Sequence, residues 1–328
     1  TRGFGRYRFP APGIAPPRSL CARMSLYAML AGKGPSGFGY GSPAEEVTAG
    51  LDLSGRRYLV TGANSGIGLE SVRVLGLRGA TVLTLARTVD KAREAVRGMP
   101  GEFIPVACEL SEPASVRAAV RTVLDLGAPL DGILGNAGIM ALPKLEVKLG
   151  YELQFFTNHV GHFILTTGLL EGVKPGGRVV MLSSAAHKNA PATGIEFDNL
   201  SGSRGYSPWA AYGQSKLANL LFVRELGRRW AGSGRVANAV HPGVIATNLV
   251  RHMPAPMRVA WAAAEPLVLK SIPQGAATQV WALVHPGAAA LQGEYLADCN
   301  VGKSSALGRD AALAAKLWAE TERIVAGM

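Results

Sequence analysis

Residues 56–88 read RRYLVTGANSGIGLESVRVLGLRGATVLTLART: an apolar strand, a glycine-rich turn, an amphipathic helix and a second apolar strand. This order constrains the fold more than any other feature, because a strand followed by a covering helix returns as a parallel neighbour. The alternation then continues. Helical VDKAREAVRGM leads to strand-like FIPVACEL, helical EPASVRAAVRTVLDLG leads to LDGILGNAG, and a long helix over YELQFFTNHVGHFILTTGLLEGV leads to GRVVMLSSA. A loop over residues 187–208 follows, then a helix at AAYGQSKLANLL, the strand RVANAVHPG, a last strand near GEYLAD and a terminal helix. Strands alternating with helices imply a mainly parallel sheet covered on both faces. The sequence therefore predicts a single doubly wound α/β domain over residues 53–328.

A chain of 328 residues, 48% of them hydrophobic, can fill one large core. Its longest apolar runs, such as RVAWAAAEPLVLKSIP, are broken by Glu265, Pro266 and Lys270, short of the roughly 20 apolar residues that span a bilayer. No transmembrane span is expected. Cys21, Cys108 and Cys299 are too few and too far apart for a disulfide framework or a zinc knuckle, so a reducing cytoplasm is the simplest location. The net charge of +11 includes Arg2, Arg6, Arg8, Arg18 and Arg23 at an acid-free start, which leaves 11 − 5 = +6 for the remainder. That remainder has no long basic run interleaved with aromatics, so nucleic acid is not the expected partner. Residues 1–23, rich in Pro, Gly and Arg, are expected to be a disordered extension, either a transit-type leader or translated sequence upstream of Met24. Residues 24–52 form a lead-in to the first strand.

In a doubly wound sheet, ligands sit beyond the carboxyl ends of the strands, and there the unusual residues collect. After the first strand, Gly62, Gly66 and Gly68, with Asn64, Ser65 and Ile67 between them, make a turn whose backbone amides can approach a pyrophosphate. Such a turn is weak evidence alone and much stronger inside a β-α-β unit. After the second strand, Arg87 stands where an NAD-selective site carries an acid, and residues 81–89 contain neither Asp nor Glu. That favours NADP(H) over NAD(H); the alternative is a solvated surface arginine. Glu109 and Leu110 follow the third strand and could edge an adenine. Asn136, Ala137 and Gly138 follow the fourth, and their small size suits either a dinucleotide or tight strand–helix packing. Ser183 and Ser184 end the fifth strand. Tyr212 and Lys216 lie four apart on the next helix, so they share a face. On its own that spacing describes an ordinary surface pair. With Ser184, and with Asn158 on the preceding helix, it describes a proton-transfer site, in which an ammonium beside a phenol favours the phenolate.

The chain from Leu53 to about Asn300 resembles the short-chain dehydrogenases/reductases, in the branch of retinol dehydrogenases and the plant chloroplast translocon-associated reductase. The matching stretches are TGANSGIG, LART, NAGIM, LQFFTNHVGHFILT, RVVMLSSAAH, YGQSKLANLLF, HPGVIATNL and YLADCN. GFGYGSPAEEVTAGLDLSG also looks like that branch's lead-in. The resemblance implies a Rossmann domain with Tyr212 as catalytic tyrosine and Lys216 as the lysine that lowers its pKa and binds the nicotinamide ribose. It implies Ser184 as the substrate-positioning serine and Asn158 as the helix asparagine, tied to Lys216 through water. It assigns Pro242, Gly243, Ile245 and Thr247 to the nicotinamide carboxamide. Glu109 departs from the family's usual aspartate beside the adenine.

His159 and His162 sit one turn apart, but no carboxylate follows at ligand spacing, so no metal is expected. His241 and Cys299 read as structural. An apolar lid is expected over residues 247–274, carrying Met253, Met257, Trp261, Leu267, Val268 and Leu269, with Phe197, Tyr206 and Trp209 on the opposite wall. The expected activity is NADP(H)-dependent interconversion of a hydrophobic ketone or aldehyde and its alcohol, with peripheral membrane contact an open possibility. The alternative is an NADP(H)-sensing scaffold with little turnover. The apolar helix at residues 153–170 suggests a homodimer face.

Overall fold

The computed structural model describes Tyr7–Arg8 and residues 25–245 and 269–328. Its centre is a run of seven parallel strands: β1 (Arg57–Thr61), β2 (Thr81–Ala86), β3 (Glu102–Ala107), β4 (Leu130–Gly135), β5 (Val173–Leu182), β6 (Val236–His241) and β7 (Tyr295–Ala297). They lie in the order β3-β2-β1-β4-β5-β6-β7. Two-residue antiparallel pieces extend the edges, Tyr7–Arg8 on β3 and Asn300–Val301 on β7, giving this sheet nine strands among the described residues. The residues of β2 and β4 are buried throughout, because helices cover both faces of a parallel sheet. This is the doubly wound Rossmann architecture that the alternation predicts.

On one face pack α1 (Gly66–Leu77) and α6 (Ile272–Val284), joined by Ala44 and Val47 of the lead-in. On the other pack α3 (Pro113–Asp125), α4 (residues 153–169), α5 (Pro208–Arg229) and α7 (Ala311–Ala326). The short α2 (Val89–Ala95) lies between β2 and β3. α4 is composite: Leu153–Phe155, a π-helical turn over Phe156–Val160, then Gly161–Leu169. On α3, Val116, Ala119 and Val123 recur at helical spacing and form its buried stripe.

Four details differ from the sequence reading. Tyr7–Arg8, expected to lack structure, pairs with Phe103 and Glu102. Residues 271–284, partly assigned to a lid, are α6 and its cap. Ser271 and Gln274 close a capping box there, so residues 272–274 belong to the frame, and residues 247–268 lie outside the described residues. α4 offers little free apolar face for a dimer, because Phe155, Phe156, Val160, Phe163 and Leu165 are already buried within the chain. α7 supplies part of that cover, its Trp318 meeting Phe163 edge-on and stacking on Phe222. Phe197 packs against the core beneath the Lys316 ammonium, 4.3 Å from its ring, instead of forming a wall.

The lead-in is fastened to the domain. Arg73 of α1 bonds Glu45 at 2.9 Å and Glu70 at 2.8 Å, and Asn300 donates to the Phe38 carbonyl at 3.1 Å. Lys270, almost wholly buried, pairs with Asp298 at 2.6 Å, and its ammonium stands 4.6 Å from the Tyr40 ring centre. Ile245 and Lys270 form a parallel bridge, so the chain leaves and re-enters the described structure at one point. Among the described residues no helix is long and apolar enough to cross a membrane.

Candidate active site

Strand order reverses between β1 and β4, whose register Val60↔Leu134 sets the two following loops side by side. This is the switch point where doubly wound sheets hold ligands. In the first loop Gly62 and Gly66 adopt φ of +63° and +56°, a region that side chains disfavour. Gly68 has a different reason to be glycine. A Cβ there would lie 2.2 Å from the Gly62 carbonyl oxygen and 2.4 Å from Asn136 Nδ2. Asn64 and Ser65 are exposed at the turn's tip, Ile67 is half-buried, and the α1 amides open beyond them.

The second loop is clasped to the first. Asn136 Nδ2 donates to the Thr61 carbonyl at 2.9 Å, and its Oδ1 accepts from Gln279 of α6 at 3.2 Å. The asparagine side chain is thus a strut holding the two loops. Ala137 and Gly138 present the small surface. A Cβ on Gly138 would come 3.1 Å from Asn158 Oδ1 and 3.2 Å from Lys216 Nζ, so this loop runs directly into the polar cluster.

That cluster brings together Asn158, Ser184, Tyr212 and Lys216. Lys216 is buried, its Nζ donating to the Leu182 carbonyl at the end of β5 at 3.2 Å and standing 5.7 Å from the Tyr212 ring centre. Burial lowers its pKa to about 8. Burial also pushes the Tyr212 phenol up to about 12, against the pull of a hydrogen bond with Ser184. The sequence reading expected the lysine to depress the tyrosine; here removal from water is the dominant influence and acts in the opposite direction. Ser183 serves structure, its hydroxyl donating to the Lys216 carbonyl at 2.8 Å.

Asn158 lies on the π-turn of α4 and is fully buried. Its Oδ1 accepts from the Ile139 amide at 2.8 Å, and its Nδ2 donates to the Ile139 carbonyl and to Ser215 Oγ, each at 2.9 Å. Ser215 Oγ in turn donates to the Tyr212 carbonyl at 2.8 Å. The side chain therefore ties the Ile139 backbone to α5 and makes no direct bond to Lys216. Sequence reasoning missed the roles of Thr61, Gln279 and Ser215, whose partners lie far away in the chain or across a helix contact.

Around this centre the remaining residues sort by position. Arg87 is exposed just beyond β2 and has no hydrogen-bond or ion-pair partner among the described residues. Glu109 turns its carboxylate to the Ser111 hydroxyl at 2.9 Å, and Leu110 is buried against Gly161. Pro242 and Gly243 leave β6 half-buried, Gly243 at φ +89° and close against the Lys270 stem, while Ile245 is buried. Thr247 lies outside the described residues. Trp209 meets Tyr212 edge-on at 6.2 Å and is exposed. The Tyr206 hydroxyl instead pins its loop, donating to the Leu142 carbonyl at 2.6 Å. His159 and His162 bond different hydroxyls, Thr321 and Thr61, and among the described residues no three ligand-type side chains gather as a metal site. Burial pushes the Cys299 thiol up to about 12.

The short chain dehydrogenase family model matches residues 56–257, which include Asn158, Ser184, Tyr212 and Lys216. The chain belongs to the short-chain dehydrogenase family. It is 42% identical over 311 residues to short-chain dehydrogenase TIC 32 B, chloroplastic, of Brassica napus, covering 90% of this chain and 97% of that one. It is 37% identical to human retinol dehydrogenase 11 over 83% of this chain and 86% of that one. Among solved structures, a blue fluorescent protein from a metagenomic library, in complex with NADPH, is 25% identical with a TM-score of 0.58, covering 78% of this chain and all of that one. The chain is thus an oxidoreductase of a family that uses nicotinamide dinucleotides.

Proposed function

We propose that this protein interconverts a hydrophobic ketone or aldehyde and its alcohol, with NADP(H) as hydride carrier and Tyr212 as acid and base. The observation that carries the reading is the Tyr212 phenol hydrogen-bonded to Ser184, with Lys216 beside its ring and the Gly138 backbone against both Lys216 and Asn158. A dinucleotide laid along the two glycine loops would supply the hydride. Ser184 and Tyr212 would hold the carbonyl oxygen, and Tyr212 would give it a proton as negative charge builds there. Gly62, Asn64, Ser65, Gly66, Ile67 and Gly68 would hold the pyrophosphate, while Ala137 and Gly138 would line the cofactor. A reducing compartment, the cytoplasm in the simplest case, suits the buried free thiols of Cys108 and Cys299.

Following NADPH consumption against retinoids, steroids, aromatic ketones and lipid-derived aldehydes tests this reading. Turnover of at least one class is expected. Cofactor binding with no turnover across all of them would reject it in favour of a sensor.

Cofactor choice is read at Arg87, whose exposed guanidinium is free to pair with a ribose 2′-phosphate. Arg87→Asp should weaken NADPH binding by about 10- to 100-fold while leaving NADH binding unchanged or improved, as measured by fluorescence titration. The pH profile reports Lys216. Because burial lowers its pKa to about 8, reduction should be level near neutrality and decline as pH rises through about 8, where the ammonium beside Tyr212 is lost. Burial raises the Tyr212 phenol above that range, so the expected decline is assigned to the lysine. Lys216→Met should remove that limb together with most of the activity.

A further inference from the structure

The Thr61 hydroxyl lies at a junction whose protons can be assigned by counting. Its oxygen accepts from the amides of Asn136 and Ala137, each at 2.9 Å. A hydroxyl offers two lone pairs and one proton; the amides occupy the lone pairs, so Thr61 must donate. The nearer acceptor is His162 Nε2 at 2.8 Å, against 3.5 Å for the Leu134 carbonyl. Nε2 therefore carries a lone pair, and the imidazole proton sits on Nδ1. The other end of the ring gives the same answer independently. Nδ1 lies 2.9 Å from the Asn158 carbonyl oxygen, which can only accept. His162 is buried, and both its nitrogens are satisfied.

We propose that His162, fixed as the Nδ1–H tautomer, is a positioning residue that holds the main chain of Asn158 in register with the Thr61–Asn136–Ala137 loop. The chain of bonds is directional: loop amides to Thr61, Thr61 to His162, His162 to Asn158. From the same residue, Asn158 Nδ2 donates to the Ile139 carbonyl on one side and to Ser215 Oγ on the other, and Ser215 donates to the Tyr212 carbonyl. The cofactor loop and the helix bearing Tyr212 and Lys216 thus share one clasp, with His162 at its middle. An imidazolium would aim an Nε2–H at a hydroxyl whose lone pairs are both taken. Burial, with Lys216 as a nearby positive charge, accordingly lowers the His162 pKa to about 4.

The kinetic consequence rests on the reading of Tyr212 and Lys216 as the reacting pair; the tautomer does not. Nitrogen-15 spectra of the intact chain, with His162 assigned by its absence in His162→Phe, should show a neutral Nδ1–H ring at neutral pH. An Nε2–H ring or an imidazolium there overturns the proposal. Kinetically, His162→Phe should lower kcat about tenfold with little change in substrate KM, the size expected for one unmade buried hydrogen bond. His162→Asn, whose amide can place an N–H where Nδ1–H stands, should recover most of that loss. Equal damage in the two folded variants, or none in His162→Phe, overturns the positioning role. Should His162→Phe not fold, Thr61→Ser against Thr61→Val asks the same question: the serine should keep kcat and the valine lose it, and equal behaviour of the two overturns it. Hydrogen exchange at the Ile139 amide, faster in His162→Phe and restored by His162→Asn, reads the clasp without turnover. A wild-type chain with the expected tautomer and exchange pattern but no turnover refutes the reductase reading and supports the clasp.

Discussion

Tyr212→Phe should abolish carbonyl reduction, lowering kcat by about 10³-fold, within the range that a positioned general acid contributes. The change removes one oxygen from a site that is otherwise packed. The ring keeps its place beside Lys216 and its edge-on contact with Trp209, so NADPH affinity and melting temperature should move little. Single-turnover measurement at saturating NADPH separates the outcomes. Retention of more than about a tenth of the wild-type rate constant would mean that Ser184 or water supplies the proton and would remove Tyr212 from its assigned role.

Gly68→Ala should damage both the fold and cofactor binding through a single methyl group. Its Cβ would fall 2.2 Å from a backbone carbonyl and 2.4 Å from the Asn136 amide, and a main-chain oxygen cannot step aside as a flexible side chain would. Relief requires the Gly62 turn to separate from the Asn136 loop, which opens the cofactor cradle. We expect a stability loss of about 2 kcal/mol or more, as for overpacking of a filled interior, and NADPH binding weakened by at least about 100-fold. Calorimetry and cofactor titration check the two effects. Gly66→Ala is the useful contrast: nothing stands within 4 Å of its Cβ, so only the cost of φ +56° remains, about 1–2 kcal/mol.

The framework of this fold could be read from the chain because its signals are local. Strand and helix periods, glycine placement and the Tyr212–Lys216 spacing each lie within a dozen residues. Signals that failed were masked by burial or depended on distant partners. α6 is buried over nearly its whole length, so it shows no polar stripe to separate it from an apolar lid. β5 begins at Val173, ahead of Pro175 and two glycines that read as a turn. The bonds of Asn158 to Ile139 and Ser215 are not legible in the chain, because they depend on how α4 meets α5. His162, read beside His159 as a doubtful metal pair, bonds a threonine 101 residues away. Tyr212 and Lys216 were paired correctly, but the direction of the phenol's pKa depends on its depth, which spacing does not report.

The bridge between Ile245 and Lys270 bears on how such a chain can diversify. Anchored by the Lys270–Asp298 pair and the Tyr40 ring, the two ends of the intervening segment meet at one fixed doorway. Lengthening a segment that is closed at its base costs little, about 0.6 kcal/mol per doubling. The frame therefore leaves residues 246–268 open to exchange: evolution, or a designer, can rewrite their length and sequence while the sheet, the glycine loops and the Tyr212–Lys216 pair are inherited unchanged.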